Sequence, residues 1–341
     1  MCSSDLHEAQ TAEMLAVLGG GRMHHGWIFA GPQGVGKAGF ALKLARRMLA
    51  DAAGPAVLAP GLETPEDHRI ATLLDAGSHP DFALLQRLEK DNGDRARNIG
   101  VDQIRGLQRL LGNAPSMSSR RVIVIDSADD LERSAANALL KNLEEPPADT
   151  FFLLVSHAPS RLLPTIRSRC RMLRFPALPD EAVEVAVRRE KPDITAEELR
   201  ALVEAASGSP GKALSYAGLK LAAIDASLRK IAQTGDPDNS LRIALARELA
   251  GRAARPRYEA FLELAPSFAA RLAKDMPTAA QPQAVHAWEA IRNLAGGALI
   301  LALDPSAVVF DIGSQLATLV QRSEEHTSEL QSPMYLVCRL L

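Results

Sequence analysis

Trp27-Ile28-Phe29-Ala30-Gly31-Pro32-Gln33-Gly34-Val35-Gly36-Lys37-Ala38 is the stretch that decides the fold. The apolar run Trp27 to Ala30 predicts a buried strand, and Phe40, Leu44 and Met48 mark one face of a following helix. Between them, Gly31 to Lys37 satisfies GxxxxGK, so strand, loop and helix stand in the order of a phosphate-binding loop. Glycines let backbone N–H groups converge on a phosphate at a helix N-terminus, and Lys37 adds a point charge. The candidate contacts are therefore Gly31, Gly34, Gly36 and Lys37. The next position of the motif carries a Ser or Thr hydroxyl for magnesium, and here it is Ala38. Binding and hydrolysis come apart at this residue.

A second nucleotide motif departs in the same direction. Arg121-Val122-Ile123-Val124-Ile125-Asp126 is a continuous β-branched run ending in a carboxylate, the pattern of a strand buried in a parallel sheet. Asp126 has the position of a magnesium-holding Walker B residue. The water-orienting Glu that follows it in hydrolysing proteins is replaced by Ser127. Ala38 and Ser127 together remove a metal ligand and a catalytic carboxylate, which predicts a retired ATPase. Its loop donors and Lys37 suffice at most for weak ATP or ADP binding, and no cofactor is required.

Strand and helix patterns alternate around these motifs. A helix is expected over Pro65 to Ala76, a strand over Phe82 to Leu88, a charged loop over Lys90 to Asn98, a helix over Val101 to Leu111, and a strand over Thr150 to Ser156. The fold class is α/β, with a parallel sheet whose ligands sit at the carboxyl ends of the strands. After Phe175, Pro176 and Pro179 interrupt the pattern, and Asp180 to Ser207 predicts two helices, the second opened by a capping box at Thr195 to Glu198. From about residue 222 to Leu319 the chain is Ala- and Leu-rich with helical periodicity and no strand alternation.

At 341 residues, 47% hydrophobic and 23% charged, the chain has enough apolar surface for two or three domains. A net charge of −2 excludes a globally basic nucleic-acid binder, so any DNA contact is local. No run of about 18 apolar residues is present and the start lacks a secretory layout, which predicts a cytoplasmic protein without a membrane partner. Residues 1–6 and 322–341 resemble translations of a sequencing-library adaptor read in opposite orientations. They are expected to be artefactual, with the natural start and end both missing. Of the three cysteines only Cys170 then counts, which supports neither a disulfide nor a zinc site.

Further motifs lie in order along the chain: His24-His25-Gly26-Trp27, the Gly31 to Ala38 loop, Ser78-His79-Pro80-Asp81, Asn137 to Pro147 (NALLKNLEEPP), Ser168-Arg169-Cys170, and Gly208-Ser209-Pro210-Gly211-Lys212-Ala213-Leu214. With the degenerate loops, this set resembles the clamp-loader branch of the AAA+ ATPases, and within it the delta-prime family of bacterial DNA polymerase III. The resemblance covers roughly residues 7 to 321. It implies an AAA+ P-loop core over 7–175, a small helical lid over 176–221 and an all-α collar over 222–321. A helical bundle with no oligomeric duty is the other reading of that last region.

The family's function then implies a stator subunit, neither polymerase nor competent ATPase, that supports ATP-dependent loading of the sliding clamp on primed DNA. Its partners would be gamma/tau and delta subunits in a hetero-pentamer. Arg169 would be an arginine finger supplied in trans, since a guanidinium is always charged, planar and able to meet phosphate oxygens with two donors. On local sequence alone, Arg169 equally solvates a surface turn, and Arg161, Arg167, Arg171 and Arg174 allow a general basic interface. Where hydrolysing relatives carry a phosphate-sensing Arg, this chain has Gly211, with Lys212 beside it. Ser156 and His157 occupy the usual polar sensor region at a strand end, where either bonds a phosphate or, as expected here, caps the strand; His79 is expected to fix a loop and Cys170 to pack as a small apolar group. The family's four-cysteine zinc module has no counterpart between Asp51 and Ser78, so zinc is not expected. The alternatives are an active gamma/tau-type ATPase, which Ala38 and Ser127 oppose, and a free-standing P-loop phosphotransferase, for which the helical tail offers no acceptor site.

Overall fold

A computed structural model describes residues 6–21, 23–55, 57–89 and 96–320. Almost all of the two terminal segments expected to be artefactual, and most of the charged loop 90–98, lie outside these residues. The chain divides into two compact units, one comprising residues up to Asp193 together with Ser207–Ser215, the other Ile194–Ala206 together with residues from Tyr216 on.

The first unit is built on five strands, β1 (Gly26–Ala30), β2 (Phe82–Gln86), β3 (Arg121–Asp126), β4 (Thr150–Ser156) and β5 (Arg171–Arg174), in the order β2-β3-β4-β1-β5. All four pairings are parallel. The near-continuous apolar strands are explained by their burial on two faces. Trp27, Phe29, Val122, Val124, Leu153 and Val155 enter one core, while Ile28, Ala30, Ile123, Ile125, Phe152 and Leu154 enter the other. The first core is closed by α1 (Glu8–Gly19), α2 (Lys37–Ala53) and α3 (Arg69–Asp75), with Met14, Phe40, Leu44, Met48 and Ile70 buried in it. The second is closed by α4 (Val101–Leu111), α5 (Arg133–Glu144) and α6 (Pro164–Ser168), through Ile104, Leu107, Leu139, Leu143 and Ile166.

Two sequence-predicted elements are shorter than expected. The helix sought from Pro65 begins only at Arg69, because the imidazole of His68 accepts from the Ile70 N–H and caps it there, and residues 65–68 form a turn. The strand sought to Leu88 ends at Gln86, where pairing with Asp126 of β3 ends.

α7 (Asp180–Glu190) and α9 (Pro210–Tyr216) follow in the first unit, while α8 (Ala196–Ala206) belongs to the second with α10 (Leu221–Thr234), α11 (Ser240–Leu249), α12 (Arg255–Asp275), α13 (Gln281–Ala298) and α14 (Pro305–Ala317). Thr195 caps α8 by accepting from Glu198 N–H, as the capping pattern predicts. The Glu198 carboxylate is used differently: it accepts from the N–H groups of Leu221 and Ala222 and so caps α10. Ile224, Leu228, Phe261, Leu264, Ile291, Val309 and Ile312 are buried in this helical unit. No helix among the described residues is long and apolar enough to cross a membrane.

Candidate functional site

The phosphate loop leaves the carboxyl end of β1 and enters α2, with Gly34 (φ +79°) and Gly36 (φ +106°) in the left-handed region that its turns require. Gly31 is fixed by space: a Cβ there would lie 2.0 Å from the Phe175 carbonyl oxygen. Its N–H donates to Ser156 O at 3.2 Å, which pins the loop to the end of β4.

Every carbonyl from Gly31 to Val35 meets a polar group of this chain. The Lys37 ammonium donates to Gly31 O at 2.6 Å and Pro32 O at 2.5 Å. Ser209 Oγ donates to Gln33 O at 2.7 Å, and the Gly211 N–H to Gly34 O at 2.8 Å. His7 Nε2 lies 2.7 Å from Val35 O, its ring set edge-on against Phe175 and Phe40. Because each trans peptide points its N–H away from its C=O, the amides of Gly34, Val35 and Gly36 point away from Ser209, Gly211 and His7, respectively.

Burial pulls Lys37 down to about pKa 8, against the attraction of Asp129 and Asp126. Asp126, at the end of β3, is thus close enough to Lys37 to attract its charge. The hydroxyl of Ser127 points elsewhere and donates to Asp130 at 3.2 Å. Asp129, which carries no sequence signal, ties this region together. Its carboxylate accepts from Ser156 Oγ (2.9 Å), His157 N–H (2.5 Å) and Ala158 N–H (3.2 Å). Ser156 and His157 are therefore bound at the strand end. Burial, with Lys37 nearby, lowers the pKa of His157 and favours its neutral ring.

Ala38 is half-buried against the core and offers no oxygen, and Ser127 is engaged with Asp130.

Arg169 stands apart from this cluster, at the opposite end of β1. The register pairs Trp27 with Arg171, so the Ser168-Arg169-Cys170 turn lies beside Gly26. A Cβ on Gly26 would meet Cys170 Sγ at 2.8 Å. Burial pushes the Cys170 thiol up to about 12, which makes it a packing group. His25 Nε2 lies 3.1 Å from Leu143 O at the end of α5, and Arg169 pairs with Glu144 there at 2.7 Å. Arg169 also donates to Thr165 O at 3.0 Å and keeps a third of its side chain exposed. Three separated motifs, His24 to Trp27, NALLKNLEEPP and Ser-Arg-Cys, thus converge around one arginine.

The Ser78 to Asp81 motif is a loop fixture. Asp81 accepts from the N–H groups of Ser116, Met117 and Ser118 at 2.8–3.0 Å, and these bonds hold its pKa low despite burial. His79 Nδ1 accepts from Asp81 N–H at 3.1 Å. Among the described residues, no group of three or more His, Cys, Asp or Glu is placed to hold a metal ion.

Comparison with known proteins identifies relatives of this chain. Residues 7–179 match the family model described as DNA polymerase III, delta subunit. The DNA polymerase III subunit delta-prime of Pseudomonas aeruginosa is 38% identical over 209 residues, which cover 61% of this chain and 60% of that protein. The Escherichia coli K12 delta-prime subunit is 32% identical over 209 residues, 60% of this chain and 57% of that protein. The matched stretch spans about 60% of the length of these curated relatives. A DNA polymerase III gamma subunit-related protein of Thermotoga maritima superposes with a TM-score of 0.42 at 15% identity, covering 90% of this chain and 99% of that one. With a family model spanning half its length and delta-prime subunits among its relatives, the chain belongs to the DNA polymerase III delta-subunit family, on the delta-prime side.

Proposed function

We propose that this chain is a non-hydrolysing stator of the DNA polymerase III clamp loader. It assembles with gamma/tau and delta subunits, supports ATP-dependent loading of the sliding clamp on primed DNA, and donates Arg169 to a neighbouring ATPase subunit. In this reading residues 176–221 serve as lid and 222–321 as collar.

One observation carries the proposal: the two ends of β1 are finished differently. At the carboxyl end the chain has a phosphate loop without a metal hydroxyl, with its carbonyls bound by this chain. At the amino end, roughly 13 Å away along a five-residue strand, it presents a guanidinium that faces away from its own loop. A finger at that end meets phosphate only on another subunit, where its two donors stabilise charge as it develops. Glu144 holds the guanidinium until then through an ion pair in which both partners are partly exposed, a contact weak enough to be exchanged.

ATP turnover by the isolated full chain tests the first half. The expected rate equals that of a K37A control, and adding the chain to motor and delta subunits restores clamp loading on primed DNA. Robust turnover that K37A abolishes would overturn the assignment as a stator.

A further inference from the structure

The phosphate loop is joined to α9 by contacts that no nucleotide supplies. Pro210 opens α9 and has no N–H, so Gly211 carries the helix's first free donor, and that donor meets Gly34 O at 2.8 Å. Ser209, 1% exposed, works in two directions: its hydroxyl accepts from Lys212 N–H at 3.3 Å and donates to Gln33 O at 2.7 Å. The fit is backbone on backbone. A Cβ at Gly211 would lie 2.8 Å from Gly34 O and 2.9 Å from Gly34 Cα, and a Cβ at Gly34 would lie 2.4 Å from Ser209 Oγ. Gly208, at φ +79°, closes the other side, where a Cβ would meet Leu178 O at 2.6 Å while Leu178 N–H donates to Gly208 O. No side chain larger than hydrogen fits at any of these three positions without displacing backbone.

We propose that Ser209 and Gly211 are positioning residues that latch α9 onto the phosphate loop in the absence of nucleotide. The latch and a side chain at position 211 are mutually exclusive, so a residue reaching from 211 toward a phosphate is given up where the latch forms. The loop is held by protein donors at Gln33 and Gly34, and α9 keeps its place whatever the nucleotide state of the complex. This deepens the stator reading, on which its consequence in the loader rests, while the latch itself is tested on the full chain alone.

Amide hydrogen exchange of the full chain provides the test, with and without excess ATP and magnesium. The Gly211 amide and the segment 31–40 should be protected without ATP, and ATP should change neither rate by more than about twofold. S209A removes the bond to Gln33 O. It should speed exchange roughly tenfold both in 210–216 and in 31–36, the scale of one lost hydrogen bond, and S209T should restore it. A simple cap of α9 would move 210–216 alone. G211A should release both segments further; should it fail to fold, S209A and S209T decide. Unprotected Gly211 without ATP, protection that appears only with ATP, or S209A leaving 31–36 unchanged would each overturn the latch. ATP turnover by the chain would overturn the stator reading and is measured separately.

Discussion

The two ends of β1 differ in how they are finished. At the carboxyl end, Gly31 to Val35 have each carbonyl bound by Lys37, Ser209, Gly211 or His7, and Lys37 is 2% exposed. At the amino end, Gly26 is also closely packed, against Cys170, yet the adjacent Arg169 is a third exposed and is held by the partly exposed Glu144 carboxylate and the Thr165 carbonyl. Close packing therefore accompanies a buried lysine at one end and a partly exposed arginine at the other. The difference teaches that a P-loop without the metal hydroxyl can still be fully bonded within its own chain, since the loop end has the larger set of hydrogen bonds.

The comparison is broken most severely at Gly31. G31A forces a Cβ to within 2.0 Å of the Phe175 carbonyl, and backbone on both sides must shift. Destabilisation of about 3 kcal/mol or more is expected in chemical denaturation; an unchanged midpoint would show that the loop is not so fitted.

A smaller effect sharpens the electrostatic side. The folded state lowers the Lys37 pKa from 10.5 to about 8. Below pH 8 both states hold the proton and the cost of burying the charge is fully present. Between about pH 8 and 10.5 the unfolded chain binds more proton, so stability rises with pH by on the order of 3 kcal/mol. K37M removes that rise, and the difference between the two pH–stability curves isolates it from tyrosine and cysteine titrations. Parallel curves would mean that Lys37 is not buried as a charge.

The smallest effect belongs to the open end. E144Q breaks a partly exposed ion pair and should cost no more than about 1 kcal/mol. A larger loss would mean that Glu144 holds the Ser-Arg-Cys turn in place instead of merely parking the guanidinium.

Much of the core was legible in the sequence because its signals are local. The β-branched run Arg121–Asp126, the apolar run Thr150–Ser156 and the spacing Val101, Ile104, Leu107, Leu111 each mark an element with the bounds observed. β5 was not legible: Arg171-Met172-Leu173-Arg174 is an edge strand with one buried side chain, so neither alternation nor an apolar run marks it. The loop's own residues followed from spacing, whereas its supports did not. His7 and Asp129 stand 28 and 27 residues from the groups they bind, and Ser209 stands 176 from Gln33. Only the glycines at 208 and 211 hinted at a close approach of backbone, a hint that acquires meaning once Gly34 is seen opposite.

The most direct test of the central claim is steady-state ATP hydrolysis, with primed DNA and clamp, by a loader reconstituted with its motor and delta subunits, comparing the native chain with R169A and K37A. R169A is predicted to assemble normally and to lower hydrolysis at the adjacent site by roughly 10³-fold, while K37A leaves the rate within about twofold. Equal rates for R169A and native chain would contradict the account, leaving Arg169 a structural residue of the Ser-Arg-Cys turn.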